Sequence, residues 1–129
     1  MSEVTALENI RWKVTDPLGN EIYLDEENFF YHIIGMHDSN DAKIRSGLEE
    51  QVKYSLQYPR FIVKHEKIAG RRVYLDLVDI FNKDMISIRP LFVVVEENGE
   101  VVTWFAKRTV NVNVQEDGGI IYDRRIHHL

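Results

Sequence analysis

The clearest hydrophobic pattern in this chain spans residues 91–106, where two runs of β-branched and aromatic residues flank the polar segment 96–100. Asn98-Gly99 lies within that segment, and both residues tolerate the positive φ of a tight hairpin turn. With these two residues as the loop, the pattern predicts a hairpin with a defined register. The predicted pairs are Val95 with Val102, Val94 with Thr103, Val93 with Trp104, Phe92 with Phe105 and Leu91 with Ala106.

Extending this register sets Arg89 opposite Arg108. Like charges directly opposite each other destabilise a sheet, unless an anion lies between them or a bulge separates them. Pro90 is a reasonable position for a bulge, because proline interrupts a ladder, and a bulge would reverse the faces of the residues beyond it. The relative facing of the two arginines therefore stays open, and protection of a strand edge is the alternative to anion binding.

The N-terminal half of the chain has the pattern of a short hairpin followed by two helices. Strand-forming residues at 10–14 and 22–24 flank a turn at 16–20, where proline and glycine take turn positions. Asp25 is the predicted N-cap of a first helix, which Gly35 ends. The second helix has a predicted buried face with a spacing of four residues and ends before Pro59. That face comprises Ile44, Leu48, Val52 and Leu56.

The second half predicts further strands at 60–66, 73–80, 86–96, 101–110 and 120–122. Helices followed by strands predict an α+β fold. We expect a short N-terminal hairpin and two helices packed on one face of a C-terminal antiparallel sheet of about four to five strands. Residues 1–129 form one predicted domain, with loose tails at 1–9 and 124–129. A site would lie on the sheet face away from the helices.

Composition narrows the function classes. The net charge of −5, from 16 basic and 21 acidic residues, argues against a large phosphate-coating interface but leaves room for a small basic pocket. The chain has no cysteine, which excludes disulfides and thiolate metal sites. No apolar run approaches the roughly 20 residues of a membrane span, and the acidic first residues lack a signal peptide's apolar region. We expect a cytoplasmic protein with no membrane partner, no cofactor and no metal.

Several side chains are candidates for chemistry. Histidine can act as acid or base near neutrality, which singles out His32 and His37, although half-burial beside the helix face and capping of a helix end are alternatives. Thr103 shares a predicted face with Phe105 and Lys107. Its hydroxyl could contact a phosphate, or the residue could serve only as a strand former. Tyr74 is either a stacking residue or a plain cross-strand aromatic residue.

Some of these segments occur in an order that resembles a known group of proteins. They are residues 16–24, His32 with His37, the helix ending at Tyr58-Pro59, the strand at 72–74, and Val93-Val94-Val95 leading to Val102-Thr103. The order resembles the nuclease-like proteins of phages and mobile elements with the barnase–EndoU–colicin–RelE (BECR) fold, over roughly residues 16–108. Members of that fold are small metal-independent ribonucleases, often toxins.

The resemblance implies an endoribonuclease-like protein that cleaves RNA by attack of the ribose 2′-hydroxyl. It assigns catalytic positions to His32, His37 and Thr103, and the strand aromatic position to Tyr74. Substrate binding would then involve Tyr74, Arg89, Lys107 and Arg108, with a base stacked on Tyr74 or Trp104. The implied partners are single-stranded or transfer RNA and a protein inhibitor. The alternative is a catalytically silent binding module on the same fold.

Overall fold

The computed structural model describes residues 9–35, 39–82, 84–108 and 119–127. A two-stranded hairpin leads into short helices, and a five-stranded sheet and a last helical turn follow. The elements are β1 (Ile10–Thr15), β2 (Glu21–Asp25), α1 (Glu26–Asn28), the π-helical segment π1 (Phe29–Ile34), α2 (Ser39–Gly47), α3 (Glu49–Gln57), β3 (Phe61–Lys64), β4 (Arg72–Asn82), β5 (Met85–Val95), β6 (Val101–Ala106), β7 (Ile120–Asp123) and α4 (Arg124–His127).

The large sheet is antiparallel and has the strand order β6-β5-β4-β3-β7. The helices pack against one of its faces, so the predicted α+β class is confirmed. No helix in the described parts of the chain is long and apolar enough to cross a membrane.

The first predicted helix begins where Asp25 caps it. The Asp25 carboxylate accepts hydrogen bonds from the backbone N–H groups of Glu27 (2.8 Å) and Asn28 (3.3 Å), which would otherwise lack partners. The helix continues as π1, and its last turn is closed by the Gly35 N–H, which donates to the Phe30 carbonyl at 2.8 Å. Asp25 and Gly35 thus bound this segment, as predicted.

The second predicted helix is divided into α2 and α3 at Leu48. Gly47 precedes the break, and glycine is a poor helix former because it loses the most backbone freedom on folding. The Leu48 N–H donates to the Arg45 carbonyl at 3.2 Å, which is a tighter turn than that of an α-helix. The predicted apolar face survives the break, since Leu48, Val52 and Leu56 are buried and Ile44 packs against them.

The hairpin of β5 and β6 has the predicted register along most of its length, but its turn differs. The loop has three residues, Glu97-Asn98-Gly99, since the Gly99 N–H donates to the Glu96 carbonyl (2.9 Å) and Glu96 pairs with Glu100. A three-residue loop of this type needs a positive φ only at its last residue, and this residue is Gly99, with a φ of 99°. Val95 consequently pairs with Val101.

A second irregularity corrects this offset. The register shifts by one residue between Val94 and Val95, so that Val102 becomes the extra residue of a bulge. The turn and the bulge each displace the register by one residue in opposite senses. The four pairs from Val94 with Thr103 to Leu91 with Ala106 are therefore the predicted ones.

Gly99 also joins the two sheets. Its carbonyl accepts a hydrogen bond from the Tyr23 N–H at 2.9 Å, and a Cβ at this position would lie closer than 3.0 Å to the Glu21 carbonyl oxygen. We expect Gly99→Ala to lower the free energy of unfolding by more than the roughly 1–3 kcal/mol that an unfavourable φ costs, because β2 must also move. Urea unfolding measures this loss.

Gly19→Ala is the matched control. Gly19 has a φ of 88°, but a Cβ there would meet nothing within 4 Å, so only the conformational cost should appear. Equal losses in the two variants would show that the contact between Gly99 and β2 contributes nothing.

The two faces of the large sheet carry separate apolar clusters. On the helix-facing side, Tyr74, Val93 and Trp104 pack with helix residues such as Val52 and Leu56. The opposite side, which we call the open face, has its own cluster with no helix residue: Val63, Val73, Leu75, Phe92 and Val94. Because successive strand residues alternate between faces, this division decides which polar side chains share a surface.

The structure settles two further expectations near the strand ends. The pairing of β4 with β5 runs without a register shift past Pro90, which lies opposite Leu77, so the bulge considered there is absent. β6 ends at Ala106, before Arg108 could pair with Arg89. Within the predicted loose tail at 124–129, residues 124–127 form the helical turn α4. There the Arg124 N–H donates to the Arg60 carbonyl at 3.0 Å.

Candidate functional site

A cavity of about 390 Å³ opens on the open face of the sheet. Its apolar floor comes from β4, β5 and β6, and its polar rim comes mainly from the loop that joins β3 to β4. The lining residues are His65, Glu66, Lys67, Arg71, Val73, Phe92, Val94, Val102, Thr103, Phe105 and Lys107. The side chains that line the cavity therefore include a carboxylate, an imidazole, a hydroxyl and three cationic groups.

The floor of the open-face cavity is built around two stacked phenylalanines. Phe92 and Phe105 lie directly opposite each other in the ladder, with ring centroids 5.3 Å apart and planes only 5° from parallel. The Lys107 ammonium lies 4.2 Å from the centroid of the Phe92 ring, within the range of a cation–π contact. Thr103, Phe105 and Lys107 all line the cavity, in agreement with the predicted shared face.

His65 organises the rim. Its Nδ1 accepts hydrogen bonds from the backbone N–H groups of Lys67 (3.1 Å) and Ile68 (3.0 Å). A ring nitrogen that accepts cannot carry a proton, so the neutral ring has its proton on Nε2. This arrangement fixes the loop and leaves Nε2–H as the donor of the imidazole.

The charges of the cavity are unevenly paired. Arg71 forms an ion pair with Glu96, which lies at the neighbouring β5–β6 turn. Lys67 and Lys107 have no carboxylate within 4.0 Å among the described residues. Two ammonium groups without a carboxylate partner among the described residues, next to an apolar floor, favour a ligand that carries negative charge and also offers a flat surface.

The residues predicted as the site divide into those in the cavity and those elsewhere. Thr103 and Lys107 line it, and the Thr103 hydroxyl also accepts a hydrogen bond from Arg45 of α2 at 3.2 Å. His32 is exposed on π1 and is not part of the lining, and His37 lies outside the described residues. Arg89 pairs with Val78 of the helix-facing cluster, and Arg108 is exposed beyond the end of β6.

Tyr74 is not available to a stacking base, so the substrate-binding role that the resemblance implied is wrong and the alternative of a plain cross-strand aromatic residue holds. Its side chain has no exposed surface, and its hydroxyl donates to the buried carboxylate of Asp16. Burial, together with this carboxylate, raises the pKa of Tyr74 far above its ordinary value. Trp104 is equally inaccessible, with no exposed surface. Both rings belong to the core.

Sequence reasoning missed the polar rim at His65, Glu66, Lys67 and Arg71. The segment from Arg60 to Arg72 is richer in basic residues than its surroundings, and this was the available signal. The expected absence of a metal site stays a prediction. Among the described residues, no group of three or more His, Asp or Glu side chains could hold one.

Comparison with known proteins provides no independent assignment. No protein-family profile matches this chain, and no curated protein is similar to it in sequence.

Proposed function

We propose that this protein binds single-stranded RNA in the open-face cavity and cleaves it without a metal ion. The observation that carries this proposal is the presence of a carboxylate, free ammonium groups, an imidazole N–H and a hydroxyl around one apolar floor. Metal-free RNA cleavage needs a base for the 2′-hydroxyl, an acid for the leaving oxygen and cations for the charge that develops on phosphorus.

The cavity offers a group for each of these tasks. Glu66 removes the proton from the 2′-hydroxyl, whose oxygen forms a bond to phosphorus as the bond to the 5′-oxygen breaks. The ammonium group of Lys67 or Lys107 gives a proton to the leaving 5′-oxygen. The other ammonium group and the Nε2–H of His65 stabilise the negative charge on the phosphate oxygens. The products are a 2′,3′-cyclic phosphate and a free 5′-hydroxyl.

This assignment replaces His32 and His37 by residues of the β3–β4 loop. His65 acts as a hydrogen-bond donor and not as a base, because its Nδ1 is occupied by two backbone N–H groups. An RNA base would lie on the exposed part of Phe105, while the phosphate faces the rim. The apolar floor beside cationic groups is typical of single-strand binding.

Binding without cleavage is the second candidate. Two polar groups of the cavity, the His65 Nδ1 and the Thr103 hydroxyl, already have partners that maintain the fold. A binding surface needs side chains that are held in place in this way. Cleavage also needs proton transfer, which would then depend on Glu66 and the two lysines alone.

The test incubates purified protein with total RNA and with transfer RNA in EDTA, and analyses binding and product ends. We expect 2′,3′-cyclic phosphate ends from the wild-type protein. Lys67→Gln/Lys107→Gln should weaken binding at least tenfold and reduce the salt dependence of binding, because two phosphate contacts are lost. Lys64→Gln removes an exposed cation that does not line the cavity, and it should behave nearly as wild type.

Three outcomes are decisive. If the Lys67→Gln/Lys107→Gln variant still cleaves RNA, the catalytic site lies outside the open-face cavity. If His32→Ala then abolishes that cleavage, the catalytic site lies at π1. Salt-dependent binding without new ends would favour the silent module. A wild-type protein that neither binds nor cleaves RNA would contradict both candidates.

A further inference from the structure

A second and larger cavity, of about 1060 Å³, lies where three separate parts of the chain meet. The turn between β1 and β2 forms one wall, the last turn of α3 forms another, and β7 with α4 forms the third. None of its lining residues belongs to the open-face cavity. It is therefore a separate site with its own chemistry.

Two tyrosines dominate the α3 wall. Tyr54 and Tyr58 are one helical turn apart, and their ring centroids are 5.3 Å apart with planes inclined by 43°. They remain 54% and 56% exposed although both line the cavity. Paired aromatic rings that stay exposed in a concave site offer faces on which a flat ring can stack.

Among the described residues that line this cavity, Arg124 is the cation without a carboxylate partner. Arg124 donates from Nη1 to the Tyr58 carbonyl at 3.2 Å, which holds its guanidinium beside the tyrosines. Among the described residues no carboxylate lies within 4.0 Å of it. Arg125 differs, because it is held by two hydrogen bonds to Asp123, at 2.8 and 3.1 Å.

Asp16 is held within the wall of this cavity by hydrogen bonds. Its carboxylate is only 4% exposed and accepts from Leu18 N–H (2.9 Å), Asn20 N–H (2.8 Å), Asn20 Nδ2 (3.1 Å) and the Tyr74 hydroxyl. These four donors hold the Asp16 side chain in place, so that it shapes the wall of the cavity.

We propose that this cavity binds a nucleoside monophosphate. The base stacks on Tyr54 and Tyr58, and the phosphate pairs with Arg124. A purely apolar ligand would leave the guanidinium without a counter-charge, and a lone phosphate would leave both aromatic faces unused. The Arg124 guanidinium, the one cation without a carboxylate partner among the described lining residues, matches a single phosphate group better than a polyphosphate. The site is independent of RNA cleavage at the open face.

Calorimetric titration of the whole chain with AMP, adenosine and inorganic phosphate tests the proposal. AMP should bind about tenfold more tightly than adenosine, the effect of one charge-assisted contact, and phosphate alone should not bind measurably. Arg124→Gln should reduce AMP affinity to that of adenosine. Tyr54→Leu/Tyr58→Leu should weaken both ligands at least fivefold through lost stacking.

Two control variants locate the binding. Tyr31→Leu removes a tyrosine that is 68% exposed and outside the cavity, and it should change nothing. Lys67→Gln/Lys107→Gln should also leave AMP binding unchanged, even if RNA binding is lost. AMP binding that fails in the lysine variant would place the nucleotide in the open-face cavity. Equal binding of AMP and phosphate, or no measurable binding of AMP, would overturn the proposal.

Discussion

Replacing Glu66 by glutamine is expected to slow RNA cleavage by roughly 10²- to 10⁴-fold, the usual contribution of a general base. The amide keeps the size of the side chain but cannot take the proton from the 2′-hydroxyl. Binding of RNA should remain, or strengthen slightly, because a negative charge has left the cavity. Single-turnover cleavage at saturating protein separates the rate of the chemical step from affinity.

Glu97→Gln is the matched control for this prediction. The Glu97 carboxylate lies beside Gly70 at the same end of the sheet but does not line the open-face cavity. Both substitutions remove one negative charge from this region, and only Glu66→Gln removes the proposed base. An equal change in both variants would show that Glu66 acts only through its charge, and undiminished cleavage would exclude it as the base.

Trp104→Ala should destabilise the fold by about 3–5 kcal/mol, a large share of the roughly 5–15 kcal/mol that keeps a domain folded. The indole has no exposed surface, and its centroid lies 6.0 Å from that of Phe29. Its Nε1 also donates to the Arg45 carbonyl at 2.8 Å, so the substitution leaves a cavity and removes a polar contact. Equilibrium unfolding in urea measures the loss.

The control for this loss is Phe81→Ala, which removes a phenylalanine that is 73% exposed. It should change the free energy of unfolding by no more than about 0.5 kcal/mol, as is usual for surface positions. A Trp104→Ala effect as small as that of Phe81→Ala would mean that the packing between β6, π1 and α2 contributes little to stability.

The hairpin of β5 and β6 shows which features a local sequence pattern predicts and which it does not. The pairs from Val94 with Thr103 to Leu91 with Ala106 follow from alternation along two strands that are adjacent in the chain. The details of the turn did not follow, because the choice between a two-residue and a three-residue loop depends on contacts beyond it. Here the Gly99 carbonyl accepts from Tyr23 of another sheet.

The site was predicted only in part for a related reason. Thr103 and Lys107 share a face because each lies two residues from Phe105 in an extended segment, and this spacing is visible in the sequence. Tyr74 could have faced either side of β4, and the helices that bury it come from a distant part of the chain. Glu66 and Lys67 lie in a loop whose composition shows nothing of the strands beside it.

By itself the sequence determined the α+β class, the approximate bounds of most strands, the Asp25 cap and the shared face of Thr103 and Lys107. These features depend on residues close together in the chain, through turn preferences, capping and the two-residue period of a strand. Only the tertiary structure decided that the β3–β4 loop and β6 line one cavity, and that Tyr74 and Trp104 are core residues. Strand order and helix docking create those contacts between residues far apart in sequence, and a pattern along the chain does not encode which face a distant element will cover.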